Sequence, residues 1–495
     1  MASEELSMRS VDQNDQSYRG MSRRMMKMVI IVLAVIAAST GVLHVSALGE
    51  TVSTPVLVAT SSSDGPTLGI PRWKGYVSEL NPQNMWLSFA GGGSSSGNLV
   101  YSTDAGRTWS TGIIQIDNNG WLDMHLSAFG RGEALYFTFP GSSGQGICFR
   151  KFNPPAQSGA DRAALVTLAG TTSGHRSNVM VQNNGRIWIF TRSGNSPSEN
   201  VRYQYSDNGT TWAAGVAVAT GASDVRIGSM PYVNGNPALV VLHISDNRGY
   251  EYYLWNGSAF AAMPDHSIYA QNMGGIRSFT HNVVHDTTMH LIFGLGNTMH
   301  HLWKNYNNGN GSWNYQTIES SANTAGLEWF PISTVRGDDL YLFYCKKSGA
   351  SATTSAIYYM KWSQAARVWS TPTLISTLPA NVSNSDPNTC FQVPATANYV
   401  PVYWRSGSSP YDIYFAKILL DSSAQDTVSP GRVIDLGPMQ GAVPGELKPN
   451  SSSPGGDVDA DAAVYYETPY LPTVLDDVER EKGNAADAPK ISLQK

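Results

Sequence analysis

Three arginines, Arg176, Arg226 and Arg277, stand 50 and 51 residues apart, and Asp123 and Glu328 extend the series on either side. A guanidinium is a planar fork that matches a carboxylate, sulfate or phosphate. Such groups repel one another when brought together. A fold that converges them therefore needs a bound anion, or the two flanking carboxylates, to balance the charge. His125 follows Asp123 by two residues and His175 directly precedes Arg176. The chemistry open to this set is anion recognition, with proton transfer on the bound group as its extension. Arg72 and Asp386 lie outside the series. His290, His300 and His301 also cluster in sequence, but strand neighbours point to opposite faces, so packing is expected of them and no metal. No cofactor is expected either.

A spacing near 50 residues converges side chains only if the chain repeats at that interval, and it does. Aromatic or aliphatic strands recur around Trp86, Tyr136, Trp188, Val240, Leu291, Leu342 and Val402, with gaps of 50, 52, 52, 51, 51 and 60. Each is followed by a second such strand and a turn, with the alternation of period two that marks half-buried strands. No helical period appears after residue 47. A lone four-stranded sheet cannot bury both faces, whereas sheets packed face to face around an axis can. The reading is all-β: a seven-bladed β-propeller of four-stranded blades over 52–420, with six blades the alternative. The seventh unit ends near Leu420 without a fourth strand, and Thr54–Ala59 has no place in the first unit. This N-terminal strand is expected to complete the last blade and close the ring. The start of each innermost strand should then face the channel, where the arginine series would meet.

Outside the propeller, Arg23, Arg24 and Lys27 precede an apolar run and the small residues Val45-Ser46-Ala47. Residues 1–47 fit a signal peptide, and 28–47 is just long enough for a signal anchor in a membrane. A secreted or cell-surface location is expected. Residues 421–495 hold 13 Asp/Glu against 6 Lys/Arg, a net −7 in a chain with net charge −5, and read as a disordered acidic tail. With no basic field, nucleic acid is excluded as a partner. Cys148, Cys345 and Cys390 are too few for a stapled scaffold and are expected to be buried apolar groups. Five Asn-x-Ser/Thr sequons (Asn208, Asn256, Asn310, Asn381, Asn450) accord with export and glycosylation, and three of them lie in Asn-Gly turns.

Ser102-Thr-Asp104-Ala-Gly106-Arg-Thr108-Trp109 fits S-x-D-x-G-x-T-W at every defined position. Asp207, Gly209, Thr211 and Trp212 repeat most of it, with Tyr205 in the serine place. These turns resemble the Asp-box (BNR) repeats of the sialidase-like superfamily, whose Asp boxes are structural. The resemblance implies a carbohydrate-active protein that recognises, and hydrolyses, an acidic glycan. Arg176, Arg226 and Arg277 would hold the substrate carboxylate, Asp123 would act as acid, and Glu328 would polarise a tyrosine. The family's Arg-Ile-Pro signature is absent; Ile70-Pro71-Arg72 only permutes its letters. Seven-bladed propellers also occur among uronate polysaccharide lyases, by analogy with which His125 and His175 would supply a base. A third reading is a non-catalytic, lectin-like or adhesion module using Trp255, Trp303 and Trp362 for sugar stacking, although blade-to-blade packing suits those residues better.

Overall fold

The computed structural model describes residues 50–63, 67, 73–91, 96–118, 126–142, 146–171, 177–193, 199–222, 225–233, 236–243, 249–268, 279–284, 287–295, 298–305, 313–320, 331–347, 355–377 and 387–420. These form seven sheets, antiparallel but for one pair of strands, that are the blades of one propeller. From the axis outward, blade one is Gly75–Val77, Met85–Ala90, Gly97–Ser102 and Ile114–Asp117. Blade two is Ser127–Arg131, Ala134–Pro140, Ile147–Phe152 and Val166–Thr167, and blade three Ser177–Val181, Ile187–Ser193, Glu199–Ser206 and Val216–Ala222. Blade four is Val225–Val233, Asn236–His243, Tyr250–Trp255 and Phe260–Ile268. Blade five is Phe279–Val284, Thr288–Leu295, Thr298–Asn305 and Asn314–Ser320. Blade six runs Ile332–Arg336, Asp339–Lys347 and Ser355–Ser363, with its outer edge split into Val368–Trp369 and Thr373–Thr377. The only helical element among the described residues is a short 3-10 turn, Gly159–Asp161. None of their helices is long and apolar enough to cross a membrane; residues 1–49 and 421–495 lie outside the described residues.

Blade seven is assembled from three parts of the chain. Tyr399–Ser406 and Tyr411–Leu419 are its middle strands. At the inner position Asn388 exchanges both backbone hydrogen bonds with Tyr403, at 2.7 and 2.8 Å. Gln392–Val393 then runs parallel to the inner strand of blade six. The other edge of Tyr411–Leu419 pairs with Thr51–Val52 and Val56–Ser61, so the N-terminal segment lies in the same sheet as the last strands.

All seven sequence anchors fall on second strands and are buried. The pleat explains why those strands are apolar throughout: one face of a blade packs on its predecessor and the other on its successor. Val241 lies in the cluster between blades three and four, and Val240 in the cluster between four and five. Trp255 packs in the first of these seams against Trp188, with ring centroids 4.8 Å apart. Trp303 and Trp362, 5.1 Å apart, share the seam between blades five and six. These tryptophans pack blade on blade, the better suited of the two roles that their positions in the sequence allow. All three cysteines are free and buried.

The innermost strands touch in succession from blade one around to blade seven and back. Side chains of non-adjacent blades also meet, which places them in the centre of the ring. Trp73, before the first strand of blade one, donates its indole N–H to the Ser333 carbonyl of blade six at 2.7 Å. Its ring packs edge-on against His281 of blade five (5.1 Å) and Phe391 of blade seven (4.8 Å). Phe391 in turn approaches Phe129 of blade two at 6.0 Å, and its carbonyl accepts from Asn282 at 3.0 Å. A Cβ at Gly228 of blade four would collide with the His281 ring, so glycine is what lets the imidazole sit there. At this level the axis is a plug of aromatic rings rather than a wet channel.

Candidate functional site

Each inner strand starts, and each second strand ends, at the same end of the propeller, because the two are antiparallel. In blade four, for example, Val225 faces His243. The described residues at this end carry a pattern that the sequence reading missed. In the second strands of four blades a nitrogen-bearing side chain is the last or last but one residue: Arg192, His243, Lys346 and Arg405. The signal was present, since each of these ends a long apolar run. Without knowing where a strand stops, a terminal cation is indistinguishable from an ordinary surface residue.

These groups are built in, not loosely displayed. Arg192 donates to the Val225 carbonyl at 3.4 Å, which ties blade three to the start of blade four. His243 is fully buried, with its Nε2 3.0 Å from a Glu251 carboxylate oxygen. Tyr253 donates to the same carboxylate at 2.6 Å. Lys346 pairs with Glu319 of blade five at 2.7 Å, and Tyr344 donates to the second oxygen at 3.1 Å. Burial, and then the Glu319 charge, hold the Tyr344 hydroxyl protonated far above its ordinary range. The Arg405 guanidinium lies 4.9 Å over the Tyr411 ring. The arrangement gathers cationic and hydrogen-bonding groups at one end of the second strands, tied into the seams between blades. Among the described residues no group of three or more His, Cys, Asp or Glu side chains could hold a metal ion.

Of the sequence-derived site residues, Asp123, His125, His175, Arg176, Arg277 and Glu328 lie outside the described residues, as do Arg72 and Asp386. Arg226 is placed: it is the second residue of the inner strand of blade four, paired with Leu242. Equal spacing along the chain is not equal distance from the ladder positions of the described strands. The partners of the second-strand anchors are Phe129, Met180, Gly228, His281 and Ser333 in blades two to six. Arg226 precedes its reference, Gly228, by two residues, whereas Arg176 precedes Met180 and Arg277 precedes His281 by four. Asp123 precedes Phe129 by six and Glu328 precedes Ser333 by five. The cause is the hairpin between first and second strands, which differs in length from blade to blade. An anchor on the second strand therefore does not carry its register to the first.

At the opposite end lie the turns from third to fourth strand. In blade one, Asp104 accepts from the Thr108 amide (2.9 Å) and hydroxyl (2.6 Å), and Ser102 donates to it at 2.8 Å. Burial alone would raise the pKa of Asp104, but the bonds from Thr108 and Ser102 outweigh it and hold the carboxyl below its ordinary value. Gly106 has φ +80, and a Cβ there would also strike the Phe415 ring. Trp109 packs on Phe415 of blade seven at 5.3 Å.

The blade-three turn needs a correction. Ser206, not Tyr205, takes the serine place, with its hydroxyl 2.8 Å from the Gly209 amide. Asn208, not Asp207, is the acceptor for the Thr210 and Thr211 amides, at 2.9 and 2.8 Å. Asp207 instead forms a two-bond pair with Arg186 on the surface, at 2.7 and 3.0 Å. That guanidinium holds the exposed carboxyl below its usual range. Thr211 and Gly209 (φ +78) keep their expected places, and Trp212 packs on Phe149 of blade two at 5.0 Å. Asp104→Ala and Asn208→Ala are each expected to cost about 1–2 kcal/mol, and Asp207→Ala less than about 0.5. Urea midpoints of the three variants check this. Equal losses for Asp207→Ala and Asn208→Ala would refute the reassigned turn.

No protein-family model matches the chain, and no curated protein matches it in sequence. Solved structures similar in shape include the polysaccharide lyase Uly1 (TM-score 0.45, 11% identity, covering 73% of this chain and 91% of the lyase). The endosialidase of phage phi92 is another (0.45, 12%, 84% and 76%), as is the Aleuria aurantia lectin (0.42, 11%, 66% and 98%). Likeness at this level fixes no activity.

Proposed function

We propose that the protein is an exported propeller that recognises an acidic glycan at the end where inner strands begin. The observation that carries this is the set of nitrogen-bearing side chains near the ends of the second strands of blades three, four, six and seven, all at one end of the propeller. Arg226 stands at the same end. Fixed guanidinium and ammonium groups suit a multivalent anion with apolar ring faces, as sugar acids have. The finer reading is sialidase-like hydrolysis, with Asp123 as acid and Glu328 beside a tyrosine. Sugar binding in the seams, the lectin-like alternative, is less well supported because the seam tryptophans pack against one another.

Arg226→Ala is expected to weaken binding of acidic glycans at least tenfold, about 1.4 kcal/mol, with little effect on neutral ones. A glycan array followed by calorimetry on the strongest ligands measures this, and a reducing-end assay on the same ligands tests for cleavage. Unchanged affinity for every acidic ligand would remove this end of the propeller from the recognition surface.

A further inference from the structure

Two turns that connect third and fourth strands contain Asn-Gly-Thr or Asn-Gly-Ser, and both use the asparagine in a particular way. In blade four, Asn256 Oδ1 accepts from the Ser258 amide, the Ser258 hydroxyl and the Ala259 amide, each at 3.0 Å. In blade three, Asn208 Oδ1 accepts from Ser206 (3.1 Å) and from the Thr210 and Thr211 amides. Neither Nδ2 makes a hydrogen bond among the described residues, and both asparagines are exposed. Residues 256–259 are exposed throughout, and the space around Gly257 is open.

We propose that Asn208 and Asn256 carry N-linked glycans. In that modification the amide Nδ2 attacks C1 of a lipid diphosphate-linked oligosaccharide. The C1–N bond forms, the C1–O bond to the diphosphate breaks, the lipid diphosphate leaves and Nδ2 loses one proton. The carbonyl oxygen is untouched. A turn that depends on Oδ1 and leaves Nδ2 unbonded can therefore bear a glycan and keep every hydrogen bond that shapes it. In Asn256 the sequon hydroxyl is already bonded to Oδ1. An aspartate box like that of Asp104 cannot be modified in this way, so the replacement of the box acid by Asn208 is what opens the second turn to it. Both turns lie at the end of the propeller away from Arg226, so the glycans leave the proposed recognition surface uncovered. The proposal rests on export but not on glycan recognition.

The test is full-chain expression in a eukaryotic host, fractionation, and release of N-glycans by an amidase in heavy-oxygen water. Each released site then becomes an isotopically marked aspartate in the peptide map. Marked Asn208 and Asn256 are expected, with Asn256→Asp and Asn208→Asp each removing one glycan's mass while keeping the turn acceptor and leaving affinity for acidic glycans within twofold. Lumenal or secreted protein with either site unmarked overturns the assignment at that site. A chain confined to the cytosol overturns export and the proposal together, while binding by purified protein still reports on recognition separately.

Discussion

A chain lacking residues 50–61 is expected to lose cooperative folding, or to melt at least 10 °C below the full-length protein. This short segment touches three consecutive blades across the place where the two ends of the propeller meet. The Glu50 side chain is almost fully buried beside blade six. It accepts from the Tyr341 hydroxyl at 2.9 Å and from Lys361 at 3.0 Å, and the same lysine also pairs with Asp339 at 2.8 Å. Thr51–Val52 and Val56–Ser61 supply ladder partners for the outer edge of blade seven. Ser61 then donates to the Ala90 carbonyl of blade one at 2.6 Å, and the Ser63 amide bonds the Gly91 carbonyl at 3.1 Å. Val52, Val58 and Ala59 pack on the largest core cluster.

Burial of the apolar groups contributes about 1–2 kcal/mol each for the valines. Removing the acceptor of the Tyr341 and Tyr359 hydroxyls (2.9 and 3.4 Å) and one of the two carboxylates paired with Lys361 adds about 1–3 kcal/mol. With the lost ladder bonds, the sum approaches the net stability of an ordinary domain. Thermal melts followed by circular dichroism measure the effect. A peptide spanning residues 50–63, added in trans, should restore part of it. A truncated chain melting within 2 °C of the full-length protein would show that blade seven is held by its other strands alone.

Acid is expected to weaken the seam between blades five and six well before it protonates most carboxylates. His290 and His301 are fully buried and bonded to each other, Nδ1 to Nε2, at 2.9 Å. The groups around them are the Gln364 amide on His290 (3.0 Å), and the Gln316 amide (3.1 Å) and Trp369 indole (3.2 Å) on His301. None is a carboxylate, so an added proton would meet donors and apolar rings. Burial accordingly pushes the pKa of His290 down to about 3, and burial together with its neighbour pushes that of His301 well below 6.5. His300, on the opposite strand face, bonds Tyr315 at 2.6 Å and does not join the pair.

The sign follows from the lowered folded-state values. Below about pH 6.5 the unfolded chain binds protons that the folded chain refuses, so stability is full above that pH and falls as pH drops toward 3. At pH 5, His290 alone accounts for about 2 kcal/mol. Denaturant midpoints at pH 7.5 and 5.0 should show the loss, and the double variant His290→Gln/His301→Gln should lose markedly less over the same interval. Identical slopes for the two proteins would place the acid sensitivity elsewhere.

The fold was legible because its signal is redundant. Second strands such as Met85–Ala90 and Asp339–Lys347 are sandwiched between two neighbouring blades, so apolar residues occupy both faces and recur at the repeat interval. Seven occurrences of one pattern leave little freedom for another architecture. The candidate site was less legible, and for a specific reason. Its geometry depends on the inner strands, whose register against the second strands is set by hairpins of unequal length. Arg226 and Arg176 thus look equivalent by spacing but stand two and four residues from the corresponding ladder positions.

The blade-three turn was ambiguous in the same sense. Ser206-Asp207-Asn208 offers two alignments to one motif, and only the hydrogen bonds assign the acceptor role to Asn208. By itself, then, the sequence determined the number of blades and which strand of each is buried, because burial between two sheets demands a residue class that any reader can see. Which side chains share a level, and whether the axis is open or filled, were decided only in three dimensions. Those depend on contacts among Trp73, His281 and Phe391, residues far apart in the chain whose meeting no local pattern encodes.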